Sequence, residues 1–175
     1  MIGDECLTKW VSTQQVSHQA AYLGELTDVD SKTQWLFPKL RITCSTTITT
    51  IRFVGETLQG GNRIPELQMW RKVSPTSTRY TKINHTSRDA KLISNVYSVS
   101  VSWQVEPGDV FGVYQPDTKR SKYSFAMQER GGGEELSYAL KNKRKAPDRF
   151  DVSKHDTTGH PYPLVSVEAG RCMLN

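Results

Sequence analysis

Between Tyr97 and Val105 every second residue is large and apolar: Tyr97, Val99, Val101, Trp103 and Val105 alternate with Ser98, Ser100, Ser102 and Gln104. A period of two sends alternate side chains to opposite faces of a pleated strand. The run is therefore a strand with one oily face and one hydroxyl-rich face, closed by turn chemistry at Pro107-Gly108-Asp109. Such a strand must lay its oily face against another layer. A helix would need apolar residues three and four apart behind a cap, and no window of useful length offers that pattern.

Short strands of the same style recur along the chain, bounded by Gly, Pro, Asn, Asp and Ser clusters. Leu7 to Val16 and Ala20 to Leu23 read as edge strands. Trp35-Leu36-Phe37-Pro38 opens a strong strand with Leu40, Ile42 and Cys44 in phase. A turn or bulge at Ser45-Thr46-Thr47 follows, because Ile51 and Phe53 have the other parity. Glu66 to Arg71 and Arg79 to Ile83 form a hairpin around Ser74-Pro75-Thr76-Ser77. Val110 to Tyr114 reads as a strand buried on both faces. Tyr123, Phe125 and Met127 alternate again, Leu136 to Leu140 follows a glycine run, and Tyr162 to Glu168 closes the set. The expectation is an all-β, two-sheet antiparallel sandwich of jelly-roll-like type, forming one domain over residues 1–175. Residues 141–161 are polar, charged and aperiodic, and read as a loop excursion outside the core.

With 36% apolar residues the chain can bury a core, and no stretch reaches the roughly 18 apolar residues of a spanning helix. Direct membrane insertion is therefore not expected. Met1 to Glu5 lacks the basic and apolar regions of a secretory signal, and the reading is of a segment excised from a longer secreted chain. The formal net charge is +5, and four cations cluster at Lys141, Lys143, Arg144 and Lys145. Clustered cations attract sulfated polysaccharide or acidic headgroups; the bland alternative is a solvated loop. Nucleic acid is not an expected partner, because the cluster has no interleaved aromatics for bases to stack on.

Cys6, Cys44 and Cys172 have no CxxC spacing and no neighbouring His, so they read as disulfide candidates rather than zinc ligands. A Cys6–Cys172 bridge would staple the termini and a Cys6–Cys44 bridge would pin the N-terminal segment to a core strand. Both stay open beside the alternative of three reduced thiols. Asn84-His85-Thr86 is a glycosylation sequon, placed by the sequence in a polar stretch after a strand. Glu25, Asp28 and Asp30 form a weak Ca2+ candidate, with a polar loop as the simpler reading and no cofactor otherwise expected. Glu106 and Asp109 read as turn residues. Trp103 shares the apolar parity of its strand and belongs to the core. Trp70 has the parity opposite to Leu67 and Met69 and is the one aromatic that could face outward as a sugar-stacking platform. No Gly-x-Ser-x-Gly elbow or phosphate-binding loop is present, and the chain is not expected to be an enzyme.

Leu36-Phe37-Pro38, Ile42-Thr43-Cys44-Ser45, Glu66 through Arg71, Tyr80-Thr81-Lys82, Pro107 through Pro116 and Pro163 through Val167 carry a family resemblance. Over about residues 35–168 the chain resembles a β-rich ectodomain module of large cell-surface proteins of sponges and cnidarians. The resemblance implies an extracellular, multi-domain setting without enzymatic activity, and it brings no ligand site with it. The tract 141–161 looks longer and more basic than such modules have. The expected work is adhesion or recognition of a protein or glycan ligand at the cell surface, through loops at the sandwich ends. A lectin-like sugar-binding module and a structural spacer are the alternatives.

Overall fold

The computed structural model describes residues 7–8, 27–28, 30–86, 88–129, 137–155, 157–158 and 161–170, and the structural statements below concern these. In chain order the strands are β1 (Leu7–Thr8), β2 (Thr27–Asp28), β3 (Thr33–Ile42), β4 (Thr46–Thr57), β5 (Glu66–Lys72), β6 (Arg79–His85), β7 (Lys91–Ile93) and β8 (Val96–Val105). They continue as β9 (Val110–Gln115), β10 (Tyr123–Glu129), β11 (Ser137–Leu140), β12 (Arg149–Asp151), β13 (Thr157–Thr158), β14 (Pro161–Pro163) and β15 (Val165–Ala169). Two single 3-10 turns, Thr118–Arg120 and Val152–Lys154, are the helical segments among the described residues. No helix among them is long and apolar enough to cross a membrane.

The strands form two antiparallel sheets packed face to face, a β-sandwich. The first runs β12-β6-β5-β9-β3-β11-β13, with β1 on β3; the second runs β14-β10-β4-β8-β7, with β15 on β4 and β2 on β10. Between β3 and β10 the chain passes repeatedly from one sheet to the other, the jelly-roll-like connectivity expected. β9 lies between β5 and β3, so both its edges are paired, and all six of its residues are buried because the second sheet covers one face and the outer cluster around Trp70 the other.

The inner core fills the space between the sheets. Phe37, Leu67, Met69, Phe111 and Val113 from the first sheet meet Ile48, Ile51, Phe53, Val99, Trp103 and Phe125 from the second. In β8 the alternation works as its sequence requires: Tyr97, Val99, Trp103 and Val105 are buried and Val101 half-buried, while Ser100, Ser102 and Gln104 are exposed. The parity change before Ile51 has two causes, a turn at 43–45 and a register shift in the β4–β8 pairing between Ile48 and Thr50. A second shift, between Phe37 and Arg41 in the β3–β9 pairing, brackets Pro38, which has no N–H to give a ladder. Beyond it Leu40 and Ile42 turn to the core, and Lys39 and Arg41 are exposed.

Tyr97 and Tyr123 stack at 4.3 Å between ring centroids inside this core. Burial raises the pKa of Tyr123, and the Ala90 N–H donated to its hydroxyl oxygen only partly offsets that. Burial also raises Tyr80 and Tyr114. A folded-state pKa above the unfolded value means that these phenols contribute fully while pH stays below the unfolded value, near 10, and that the contribution is lost as pH climbs through the folded one. The urea midpoint should therefore hold from neutral pH to about pH 9 and fall above about pH 10, with phenolate absorbance rising together with unfolding.

Candidate functional site

The outer face of the first sheet carries a second apolar cluster. Along β5, Leu67 and Met69 point into the sandwich, so Gln68, Trp70 and Lys72 point out. Trp70 is nevertheless 0% exposed. It packs with Leu36, Tyr80, Val110 and Phe150, and the Phe150 ring meets it edge-on at 6.3 Å. Gly112 on the neighbouring strand makes room: a Cβ there would lie 2.6 Å from Trp70 Nε1 and 2.9 Å from the Trp35 carbonyl oxygen. The parity reading of Trp70 is right about its face, but the sugar-stacking platform expected there is overturned, because that face is covered.

The cover comes from the tract read as an excursion. β11 pairs with β3 near one edge of the sheet and β12 pairs with β6 at the other, so residues 141–148 pass across the outer face as a strap. The Lys143 N–H donates to Lys32 O at 2.9 Å, Tyr114 Oη donates to Lys143 O at 2.6 Å, and the Lys82 N–H donates to Asp148 O at 3.0 Å. β12 then brings in Phe150, 2% exposed, while Tyr138, Leu140 and Val152 pack around the cluster. The tract through residue 155 is thus part of the packed structure by way of Phe150, a correction that follows from one aromatic between charged neighbours.

Near the strap, buried polar side chains satisfy one another. Gln34 Nε2 donates to Gln68 Oε1 at 2.7 Å, Trp70 Nε1 donates to the same oxygen at 2.9 Å, and Gln68 Nε2 donates to Glu66 Oε1 at 3.0 Å. Lys82 Nζ closes the chain, 2.8 Å from Glu66 Oε1 and 3.3 Å from Asp148 Oδ1. Buried amides cost stability only when left unpaired, so this network fixes the register of the strap over β5 and β3.

The other end of the same face is open. Two depressions of about 660 and 680 Å3 share Val73 and Tyr80. One continues over Thr81, Arg149 and Lys154; the other continues over Lys72, Val110, Lys39 and Arg41. The carboxylates in the lining are committed. Asp109, 1% exposed, takes a bidentate pair from Arg71 at 2.8 and 2.9 Å and accepts the Glu106 N–H at 2.8 Å. That pairing raises the pKa of Arg71 and ties β5 to the turn at Gly108, where φ is +92°. Asp151 accepts from Thr78 Oγ1 and from the Ser153 N–H and Oγ, which hold its carboxyl down at about 2. Lys39, Lys72 and Arg149 form no ion pair with any described residue, and Lys72 Nζ lies 5.9 Å from the centroid of the Tyr80 ring.

The remaining candidates disperse. Of the basic cluster, Lys141 Nζ lies 3.1 Å from Asp30 Oδ2, Lys143 is half-buried, and Arg144 and Lys145 are exposed. Asp30 is therefore salt-bridged; Asp28 lies in β2 opposite Ala126, and Glu25 is outside the described residues. Among the described residues no group of three or more His, Cys, Asp or Glu is placed to hold a metal. Asn84 lies within β6 rather than after it, half-buried and opposite Met69, and its sequon partner Thr86 accepts the Leu67 N–H at 2.9 Å. Cys44 is half-buried just beyond β3, and Cys6 and Cys172 lie outside the described residues. His155 packs 5.1 Å from Phe150 at the groove. The groove cations escaped the sequence reading because they come from five separate segments and meet only through the strand order. Alternation in β5 and β3 supplied the one available signal, by sending Lys72 and Lys39 away from the core.

No family model, curated protein or solved structure matches this chain.

Gly112→Ala should cost about 1–3 kcal/mol in urea unfolding, because the added methyl meets a buried indole and a backbone oxygen at once. Tyr114→Phe deletes the hydrogen bond to Lys143 O and should cost about 1 kcal/mol. It should also speed trypsin cleavage after Lys141, Lys143, Arg144 or Lys145, read by mass spectrometry of the nicked chain.

Proposed function

We propose that this chain is a non-catalytic recognition module of an extracellular, multi-domain protein, and that it meets its ligand at the open end of the first sheet's outer face. One observation carries the reading: that face is closed by the chain's own strap and aromatic cluster except at one end, where a groove combines apolar side chains with cations that no described carboxylate neutralises. A depression of this size, held by paired strands, offers a ligand a pre-formed surface. The extracellular setting rests on reading the three cysteines as disulfide candidates, since such bonds persist in oxidising compartments, and on the resemblance to cell-surface modules. A glycan at Asn84 would belong to the same setting.

The lectin-like alternative loses its stacking residue with Trp70, so neutral sugars have no broad aromatic face at this end. Two measurements test the proposal. Unreduced, denatured protein should show one free thiol per chain, the odd cysteine left by one bridge among three. Three free thiols would remove the support for an oxidising compartment. Screening against glycan and surface-protein arrays should give hits that Lys72→Glu abolishes. Hits insensitive to Lys72→Glu would move recognition to another surface, and none at all would favour a structural spacer instead.

A further inference from the structure

We infer that the open end binds a linear acidic polysaccharide bearing sulfate or carboxylate groups along its sugar repeats, an inference that rests on the reading of that end as the recognition surface. More cations gather here than on the strap, where Arg144 and Lys145 are the exposed ones without a salt bridge among the described residues. The two depressions are lined by seven Lys and Arg against three Asp and Glu, in a chain whose whole net charge is +5. Those three carboxylates already hold arginines: Asp109 and Glu106 pair with Arg71, and Asp151 pairs with Arg79 at 3.6 Å. Lys39, Lys72 and Arg149 are exposed and have no such partner among the described residues. The contiguous cluster at 141–145 spends Lys141 on Asp30 and half-buries Lys143.

Spacing narrows the ligand. Lys72 stands on β5 and Lys39 on β3, while Arg149, paired with Thr81 on the edge strand β12, lines the depression from the sheet edge, with β6 and β9 between them. Four strand spacings place the outermost cations about 19 Å apart. A compact anion such as free phosphate would meet one of them, whereas an extended polyanion meets all. A peptide would gain little from its backbone, because β6, β5, β9 and β3 have both edges paired and expose no free ladder groups on the groove floor. Single-stranded nucleic acid needs aromatic faces for its bases. Trp70, Phe150 and Tyr80 are 0%, 2% and 4% exposed and offer none, while Val73, 64% exposed, suits the C–H face of a sugar ring.

The test uses the whole chain on immobilised heparin over a salt series, with two variants of unequal charge. The first replaces three groove cations, Lys39→Ala, Lys72→Ala and Arg149→Ala; the second replaces the four strap cations, Lys141→Ala, Lys143→Ala, Arg144→Ala and Lys145→Ala. All three groove positions are exposed, so the first variant should keep the wild-type unfolding midpoint. Its affinity should drop by about 10-fold or more, and the slope of log K against log salt should flatten by roughly two to three. The strap variant, though it removes more charge, should lose less. An equal or larger loss in the strap variant, no retention of the wild type, or equally tight binding of a thymidine oligonucleotide would overturn the inference. Should the groove variant lose protein or neutral-glycan array hits instead, the recognition surface would stand and only its acidic ligand would fall. Should array hits survive in that variant, both would fall.

Discussion

The seating of Trp70 over Gly112 organises the outer face of the first sheet. An indole on the far side of a sheet is a liability in water, and it becomes an anchor only if its bulk is matched by a gap and its N–H by an acceptor. Gly112 supplies the gap, since any side chain there would collide with the ring, and Gln68 Oε1 supplies the acceptor at 2.9 Å. Once the ring is in place it defines a floor on which Leu36, Tyr80 and Val110 add area and to which Phe150 can return. Burying an aromatic of that size contributes a few kcal/mol, and losing Phe150 to Ala would forfeit about 3–5 kcal/mol. That is enough to hold a charged tract against the sheet that would otherwise prefer water.

The sandwich is therefore effectively three layers deep on one side: second sheet, first sheet, and a partial cover made by the strap at 141–148 together with the Phe150 side chain of β12. The cover is bound by two different kinds of force at its two ends. At the aromatic end the attraction is apolar and tolerant of small displacement. At the strap end it is a chain of directional bonds from Tyr114 to Lys143 and from Lys82 to Asp148, backed by the Gln34–Gln68–Glu66 network, and these fix position rather than add much net stability. The division explains why one end is sealed and the other is open: hydrogen-bond partners run out where β5 ends in Lys72, and the sheet there turns cations outward.

Much of the frame was legible in the sequence, for reasons that lie in particular residues. Strict alternation in β8 named its inner face, and the unbroken apolar run Val110–Tyr114 identified the central strand, because a strand covered on both sides has no reason to alternate. Parity could say that Trp70 faces away from Met69, but not whether something lies over it. The covering residue, Phe150, sits between Arg149 and Asp151 in a tract without periodicity, and a strand of three residues is too short to show a period. The same tract misled on charge. Lys141 to Lys145 is conspicuous because it is contiguous, whereas Lys39, Lys72 and Arg149 are far apart in the chain and adjoin only after β3, β5 and β12 take their places in one sheet.

Contiguity along a chain and convergence in space are different grounds for expecting a site. Neighbouring residues of a strap have side chains that diverge around the backbone, and a ligand must order them as it binds. Cations on paired strands stand at spacings set by the ladder, roughly 4.8 Å per strand, and their backbones are already fixed before any ligand arrives. The entropy of ordering is met during folding rather than during binding. Lys72 is further restrained by the Tyr80 ring below it, and the register shift around Pro38 puts Lys39 and Arg41 on the same exposed side while sending Leu40 and Ile42 to the core. A bulge that looks like a local defect in β3 thus contributes two of the cations at one end of the groove, and the sheet that buries the core also spaces the charges.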